Sequence, residues 1–223
     1  MTFQIAIDGP AGSGKSTMAK ILSRKLNAIY LDTGAMYRTV GLKAVQSGID
    51  TKDEKALADM MKNIDITIAF ENEEQVIYLD GVNVNGNIRT AEISVAASNV
   101  AVFPVVRHKM VEMQRKIASC NNVVMDGRDI GTFVLQQANF KFFLTADAEE
   151  RAKRRCLEMK EKKMDADYKS ILEDIKYRDN NDSSRAFAPL KKADDAILID
   201  TTFLNIDQVI NKMMEYIDGK QSN

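Results

Sequence analysis

Apolar positions along the chain change period twice, and those changes divide it. Phe3, Ile5, Ala6 and Ile7 form a short apolar run cut off at Asp8. Met18, Ile21, Leu22 and Leu26 then recur at the spacing of one helix face. Residues 28–31 make a second short apolar run ending at Asp32. Helical patterns follow over residues 34–46, closing at Gly48, and over residues 53–61. From Ile64 the period becomes two: Ile64, Ile66, Ile68 and Phe70 alternate with Asp65, Thr67 and Ala69, the signature of a half-buried strand. A polar turn over residues 71–75 leads to a partner strand at Val76 to Leu79. The hairpin dipeptides Asp80-Gly81 and Asn85-Gly86 then flank Val82 and Val84. Two helices are predicted on either side of Pro104, over residues 91–102 and 105–118.

Short apolar runs interleaved with helices return at Val123 to Asp126, Phe140 to Leu144 and Ala196 to Ile199. Between them lie a highly charged helical stretch from Asp147 to about Lys163 and a polar one from about Tyr168 to Asn180. Ile206 to Ile217 closes the chain as an apolar-faced helix. Five such strands alternating with helices predict an α/β fold, a parallel sheet covered on both faces, interrupted by one small antiparallel β insertion.

The strand-to-helix junction after Ile7 carries chemistry. Gly9, Pro10, Ala11, Gly12, Ser13, Gly14, Lys15 and Ser16 complete the phosphate-loop pattern G-x-x-x-x-G-K-[ST], with Thr17 next in the helix. Glycines let successive backbone N–H groups approach and cradle phosphate oxygens at a helix N-terminus. Lys15 is expected to reach the β- and γ-phosphates of a nucleoside triphosphate, and Ser16 to offer its hydroxyl to Mg²⁺.

Composition narrows the class. The 223 residues are 45% hydrophobic and 28% charged with a net charge of −1, an ordinary globular balance with no global attraction to nucleic acid. Cys120 and Cys156 stand far apart, so neither a disulfide framework nor a zinc site is expected. The first apolar run stops at Asp8, too early for a signal peptide, and no run is long enough to span a membrane. The expectation is a cytoplasmic protein. His108, the single histidine, lies in a polar stretch and offers little to a histidine-based mechanism.

A triphosphate loop alone does not name a reaction. The guanine-reading N-K-x-D segment of a GTPase is missing, because Asn211-Lys212 is followed by two methionines. A small kinase needs an acceptor pocket and arginines to manage phosphate charge. Arg38 lies just past the strand ending at Asp32, and Arg128 and Asp129 follow the strand ending at Asp126, where ligands of open α/β sheets collect. Arg178, Asp182 and Arg185 are spaced four and three apart. Arg151, Arg154 and Arg155 share a face of the charged helix. Surface ion pairing is the competing explanation for each group.

The segments IDGPAGSGKS, LDTGAMYR, AASNVAVFPVVR, VVMDGRDIGT and RDNNDSSRAFAPL, in this order, closely resemble the bacterial cytidylate kinases over essentially the whole chain. That resemblance implies the nucleoside monophosphate kinase fold: a five-stranded parallel P-loop core, an enlarged monophosphate-binding insertion and a short helical lid. The core would cover about residues 1–62, 120–150 and 185–223, the insertion about 63–119, and the lid about 151–184. It also implies roles: Ser98, Arg107 and Asp129 reading cytosine; Arg38, Arg128 and Arg185 holding the acceptor phosphate, with Thr33 where some members have serine; Arg178 and Asp182 touching the ribose. Arg154 and Arg155 fall in the lid, where family members place arginines on the transferring phosphates. Lys15, Arg128, Arg185, Arg154 and Arg155 make up the implied catalytic set.

The implied reaction is phosphoryl transfer from ATP to CMP or dCMP. The attacking phosphate oxygen is already largely ionised, with a second pKa of about 6, so no general base is required. Asp126 is read either as a Mg²⁺ support through water or as a cap of the next turn. Asp129 facing the cytosine amino group would disfavour uracil, whose position 4 is an acceptor. A UMP kinase on the same fold and a nucleotide-sensing module without turnover are the alternatives. The expected partners are ATP and CMP or dCMP, without nucleic acid or membrane, and a monomer is expected.

Overall fold

The computed structural model describes residues 2–72, 74–161 and 165–221. Strands β1 (Gln4–Asp8), β2 (Ile29–Asp32), β6 (Val123–Gly127), β7 (Phe140–Thr145) and β8 (Ile197–Asp200) form one parallel sheet in the order β2-β6-β1-β7-β8. Strands β3 (Ile66–Glu71), β4 (Glu74–Leu79) and β5 (Val82–Asn83) form a separate antiparallel sheet. Both sheets match the expected α/β architecture.

Strand alternation divides the core. Ile5 and Ile7 point to one face, where Val124, Phe142 and Leu144 meet Met18 and Leu22 of α1 (Lys15–Lys25). Val209, Met213 and Ile217 of α8 (Ile206–Gln221) complete that face. Ala6, with Leu31, Val123 and Met125, points to the other face. There it meets Met36 and Val40 of α2 (Thr33–Gln46) and Val106 and Met110 of α5 (Pro104–Cys120). The small sheet joins this second cluster through Ile66, Ile77 and Leu79, alongside α3 (Glu54–Asn63) and α4 (Ala91–Val100). A parallel sheet needs both faces covered, and the two clusters do this.

Several boundaries differ from expectation for local reasons. Pro104 opens α5 at its first turn, where a missing N–H costs nothing, so the helix begins one residue earlier than expected. The charged helix α6 is described over Ala148–Glu161, and its expected boundary at Lys163 lies outside the described residues. Helix α7 (Tyr168–Ser184), capped by Asp167 accepting from the Ser170 N–H, runs four residues past Asn180. Arg178 and Asp182 therefore share one helix, and Arg185 is its C-cap. A π-helical turn over Ile130–Val134 follows β6, unmarked by any sequence signal used above. Among the described residues no helix is long and apolar enough to cross a membrane.

Candidate active site

The carboxyl ends of β1, β2 and β6 lie side by side, with Asp8 opposite Gly127 and Asp32 opposite Asp126 in the register. Side chains that follow each strand therefore converge on one cleft.

The loop after β1 is held closed by its own atoms. Gly9 sits at φ +146°, and a Cβ there would fall 1.9 Å from the Leu144 carbonyl oxygen, so only glycine fits. Gly14, at φ +88°, turns the chain into α1. Lys15 folds back over the loop, its Nζ donating to the Pro10 carbonyl at 2.6 Å. Burial pulls its pKa well below the ordinary lysine value and Arg128 adds to the effect, while Asp126, Asp182 and Asp8 oppose it. Arg151, at the start of α6, clamps the loop from outside. It donates to the Ala11 carbonyl at 2.9 Å and the Ala146 carbonyl at 2.8 Å, and pairs bidentately with Asp179.

Beneath Lys15, Ser16 Oγ donates to Asp126 Oδ2 at 2.7 Å and the Tyr30 hydroxyl to Asp126 Oδ1 at 3.1 Å. Burial, then Asp32, raises the Asp126 pKa to about 6. The Asp126 main-chain carbonyl accepts from Thr33 Oγ1 at 2.7 Å. Asp8 accepts the N–H groups of Ile130 and Gly131, both at 2.7 Å, tying the residue before the phosphate loop to the residues just after Asp129. Burial lifts its pKa to about 7 against those two donors.

On the opposite wall the charges come from distant segments. Asp32 caps α2 through the Ala35 N–H (2.8 Å) and holds Arg38 (2.8 Å), with Arg89 at 3.7 Å. Burial alone would raise the Asp32 pKa, but Arg38, the Ala35 N–H and Arg89 outweigh it and the net shift is downward. Arg128 Nε donates to Asp182 Oδ2 at 2.6 Å, and Arg185 bridges Asp182 (3.8 Å) and Asp129 (3.3 Å). Burial would raise Asp182 as well, but Arg128 and Arg185 hold its carboxyl below the ordinary range. Arg107, only 1% exposed, pairs with Asp129 and lies between the rings of Tyr37 (5.6 Å) and Phe187 (5.7 Å). Ser98 Oγ accepts from Asn181 Nδ2 at 3.3 Å.

Arg178 differs from its neighbours. Among the described residues it has no hydrogen bond or ion pair, and its pKa falls to about 10 through burial first, then repulsion by Arg128, with Arg38 and Arg155 contributing. Arg178 is thus a half-buried cation beside three other cations, with Asp182 opposing their effect.

The structure thus gathers Lys15, Ser16, Thr33, Arg38, Arg107, Arg128, Asp129, Arg178, Asp182 and Arg185 around one cleft. Of the two arginines singled out on α6, Arg155 lies near enough to disfavour the Arg178 charge but pairs with Glu158 at 2.8 Å. Arg154 instead donates to the Thr201 and Thr202 carbonyls at 2.5 and 3.2 Å, beside the loop after β8. Asp8, Tyr37 and Phe187 lie inside the segments that carry the family resemblance and Tyr30 inside the second apolar run, but nothing in their local spacing points to the contacts they make here. His108 packs against Phe187 at 5.2 Å and takes no part in the charge network. No cluster of three or more His, Cys, Asp or Glu side chains suited to a metal occurs among the described residues.

The chain is 51% identical over 211 residues to a cytidylate kinase of Caldicellulosiruptor bescii, covering 95% of this chain and 93% of that one. It is 50% identical over 220 residues to a cytidylate kinase of Lactobacillus johnsonii, covering 99% and 96%. In fold alone it resembles a gluconokinase of Sinorhizobium meliloti, with a TM-score of 0.53, 9% identity and coverage of 99% and 94%. The family model described as cytidylate kinase matches residues 5–219, and the chain belongs to that family.

Proposed function

We propose that this chain transfers the γ-phosphoryl group of ATP to CMP and dCMP, giving ADP with CDP or dCDP. The observation that carries the reading is the buried Arg107–Asp129 pair, set at the end of β6 beside the phosphate loop. Asp129 accepts from the cytosine amino group, while Arg107 and Ser98 donate to its N3 and O2. Uracil reverses the first two of these polarities and would leave buried groups unpaired, at a cost of about 1–3 kcal/mol each.

The acceptor phosphate lies among Arg38, Arg128 and Arg185, with Thr33 at its edge. Arginine suits the role because its planar fork meets phosphate oxygens in pairs. Arg178 and Asp182 face the ribose side. The donor triphosphate lies in the loop from Gly9 to Thr17, and Lys15 exchanges the Pro10 carbonyl for phosphate oxygens. Catalysis is in-line positioning plus charge stabilisation, without a general base.

The Ser16 hydroxyl and the Asp126 carboxylate, 2.7 Å apart, are the all-oxygen donors that a hard divalent cation prefers. They fit Mg²⁺: Ser16 would ligate the ion and Asp126 would support it through water, and the ion would supply charge neutralisation to the bound phosphates.

The chain works as a core with a monophosphate-binding insertion (about residues 63–119) and a lid (about 151–184). Arg151 ties the first turn of α6 to the phosphate loop and Arg154 ties the next to the carbonyls after β8, so the closing part is α6 beyond Arg154, starting with Arg155. Nucleotides should then protect the chain from proteolysis near Lys162, a position outside the described residues. A cytoplasmic monomer is part of the reading.

The test is ADP release from ATP and Mg²⁺ with CMP, dCMP, UMP, AMP and GMP supplied one at a time. Turnover with CMP and dCMP is the expected result. Turnover with another monophosphate instead would discard the base-reading residues, and none at all would discard the kinase.

A further inference from the structure

Strand β2 is an edge strand, bonded to β6 on one side only. Its last residue, Asp32, nevertheless has both main-chain polar groups paired. The Asp32 N–H donates to Gln75 Oε1 at 2.7 Å, and Gln75 Nε2 donates to the Asp32 carbonyl at 3.3 Å. One side-chain amide, 43 residues away on β4 of the small sheet, thus takes the place of a missing neighbouring strand. Gln75 is itself braced, since its own carbonyl accepts from Asn85 Nδ2 at 2.8 Å.

Asp32 is where the position of Arg38 is set. With its main chain fixed, Oδ1 caps α2 through Ala35 and Oδ2 holds Arg38. An amide that fixes the peptide of Asp32 therefore fixes the carboxylate, and the carboxylate fixes the guanidinium. Gln75 also borders a cavity of about 70 Å³ lined by Tyr30, Ile77, Ile88 and Arg89, so the site tolerates a side chain of similar length.

We infer that Gln75 is a positioning residue for the acceptor phosphate: it latches the small sheet to the end of β2 and, through Asp32, holds Arg38 in register for the incoming monophosphate. The inference rests on the reading of Arg38 as a phosphate-holding residue.

The experiment measures kcat and KM for CMP and for ATP in Gln75→Met, Arg38→Met, the double variant and Lys43→Ala. Gln75→Met keeps the length of the side chain and removes both hydrogen bonds. Lys43→Ala removes the exposed 2.7 Å Lys43–Asp80 pair, a second tie between α2 and the small sheet that does not touch Asp32. Gln75→Met should raise KM for CMP by roughly three- to tenfold, the scale of one or two lost hydrogen bonds, with KM for ATP unmoved. Lys43→Ala should change neither. In the Arg38→Met background Gln75→Met should add little, because the two act through one path.

An unchanged KM for CMP in Gln75→Met, an equal rise for ATP, the same rise in Lys43→Ala, or full additivity with Arg38→Met would each overturn the inference. If Arg38→Met itself leaves KM for CMP unchanged, the phosphate-holding reading falls and takes the inference with it. An effect of Arg38→Met without one of Gln75→Met removes the inference alone.

Discussion

On the proposed assignment, the two walls of the cleft would bind phosphate in opposite ways. The donor wall is local: one eight-residue loop, shaped by glycines, closed by Lys15 on the Pro10 carbonyl and by Arg151 on the Ala11 carbonyl. Lys15 is satisfied by the loop itself, and Arg151 by the Ala11 and Ala146 carbonyls together with Asp179. The acceptor wall is assembled from α2, α5, the segment after β6 and α7, and its charges are incompletely satisfied. Arg178 has no ion-pair partner among the described residues, and Arg38 and Arg107 each bury an Nε with no hydrogen-bond partner. A wall that is complete by itself is rigid before any ligand arrives. A wall with spare donors has more to gain from a ligand, and on the proposed reading it is the selective one.

That contrast can be broken by substitution. Lys15→Met should lower kcat by about 100- to 1,000-fold, with little effect on KM for CMP; an equal loss in CMP binding would mean that the walls are not separable. Next in size is Asp129→Ala, which strands Arg107 as a buried cation. Thermal unfolding should show a stability loss of about 3–5 kcal/mol, and the preference for CMP over UMP should fall by roughly 5- to 150-fold. Retained discrimination would remove Asp129 from base reading.

Arg178→Met sharpens the comparison, because its two effects should differ in sign. Loss of a charge-assisted contact to the ribose should raise KM for CMP roughly tenfold. Loss of a half-buried cation repelled by Arg128 and Arg38 should leave the free protein as stable as before, or more so. A lower melting temperature in the ligand-free variant would show that Arg178 is a structural residue.

The smallest effect is a pH slope. Asp8 holds its proton more tightly in the folded protein, at about 7, than at the ordinary carboxylate value of 3.8. The folded state therefore binds more protons between those values, and the contribution of Asp8 to stability falls as pH rises from about 4 to about 7. Asp8→Asn should remove that slope, so melts from pH 4 to 8 should show wild type losing ground to the variant across the window. A constant difference would rule the assignment out. Asp182 has the opposite sign: its lowered pKa makes its contribution disappear only as pH falls below about 4.

Much of the fold was legible because its signals are short-range. The five parallel strands are apolar runs, the small sheet is an alternation of period two, and the phosphate loop is a contiguous pattern. The strand ends at Asp32 and Asp126 marked where ligand-facing residues would gather. Less legible was anything fixed by a partner far along the chain. The π-helical turn over Ile130–Val134 depends on Asp8, 122 residues from Ile130, supplying the acceptor for its first N–H groups. Arg151, Arg154 and Arg155 share one helix face in sequence, yet they engage the phosphate loop, the carbonyls after β8 and a neighbouring glutamate respectively.

The sequence by itself determined the α/β rhythm, the phosphate loop and the family, since these follow from local periodicity and from contiguous segments. Only the tertiary structure decided which arginines are already spent on carboxylates and carbonyls and which remain open. It also decided which carboxylates are pushed up by burial and which are held down by neighbouring cations. Those outcomes depend on distance and solvent exclusion between residues tens of positions apart, and spacing along the chain does not encode either one.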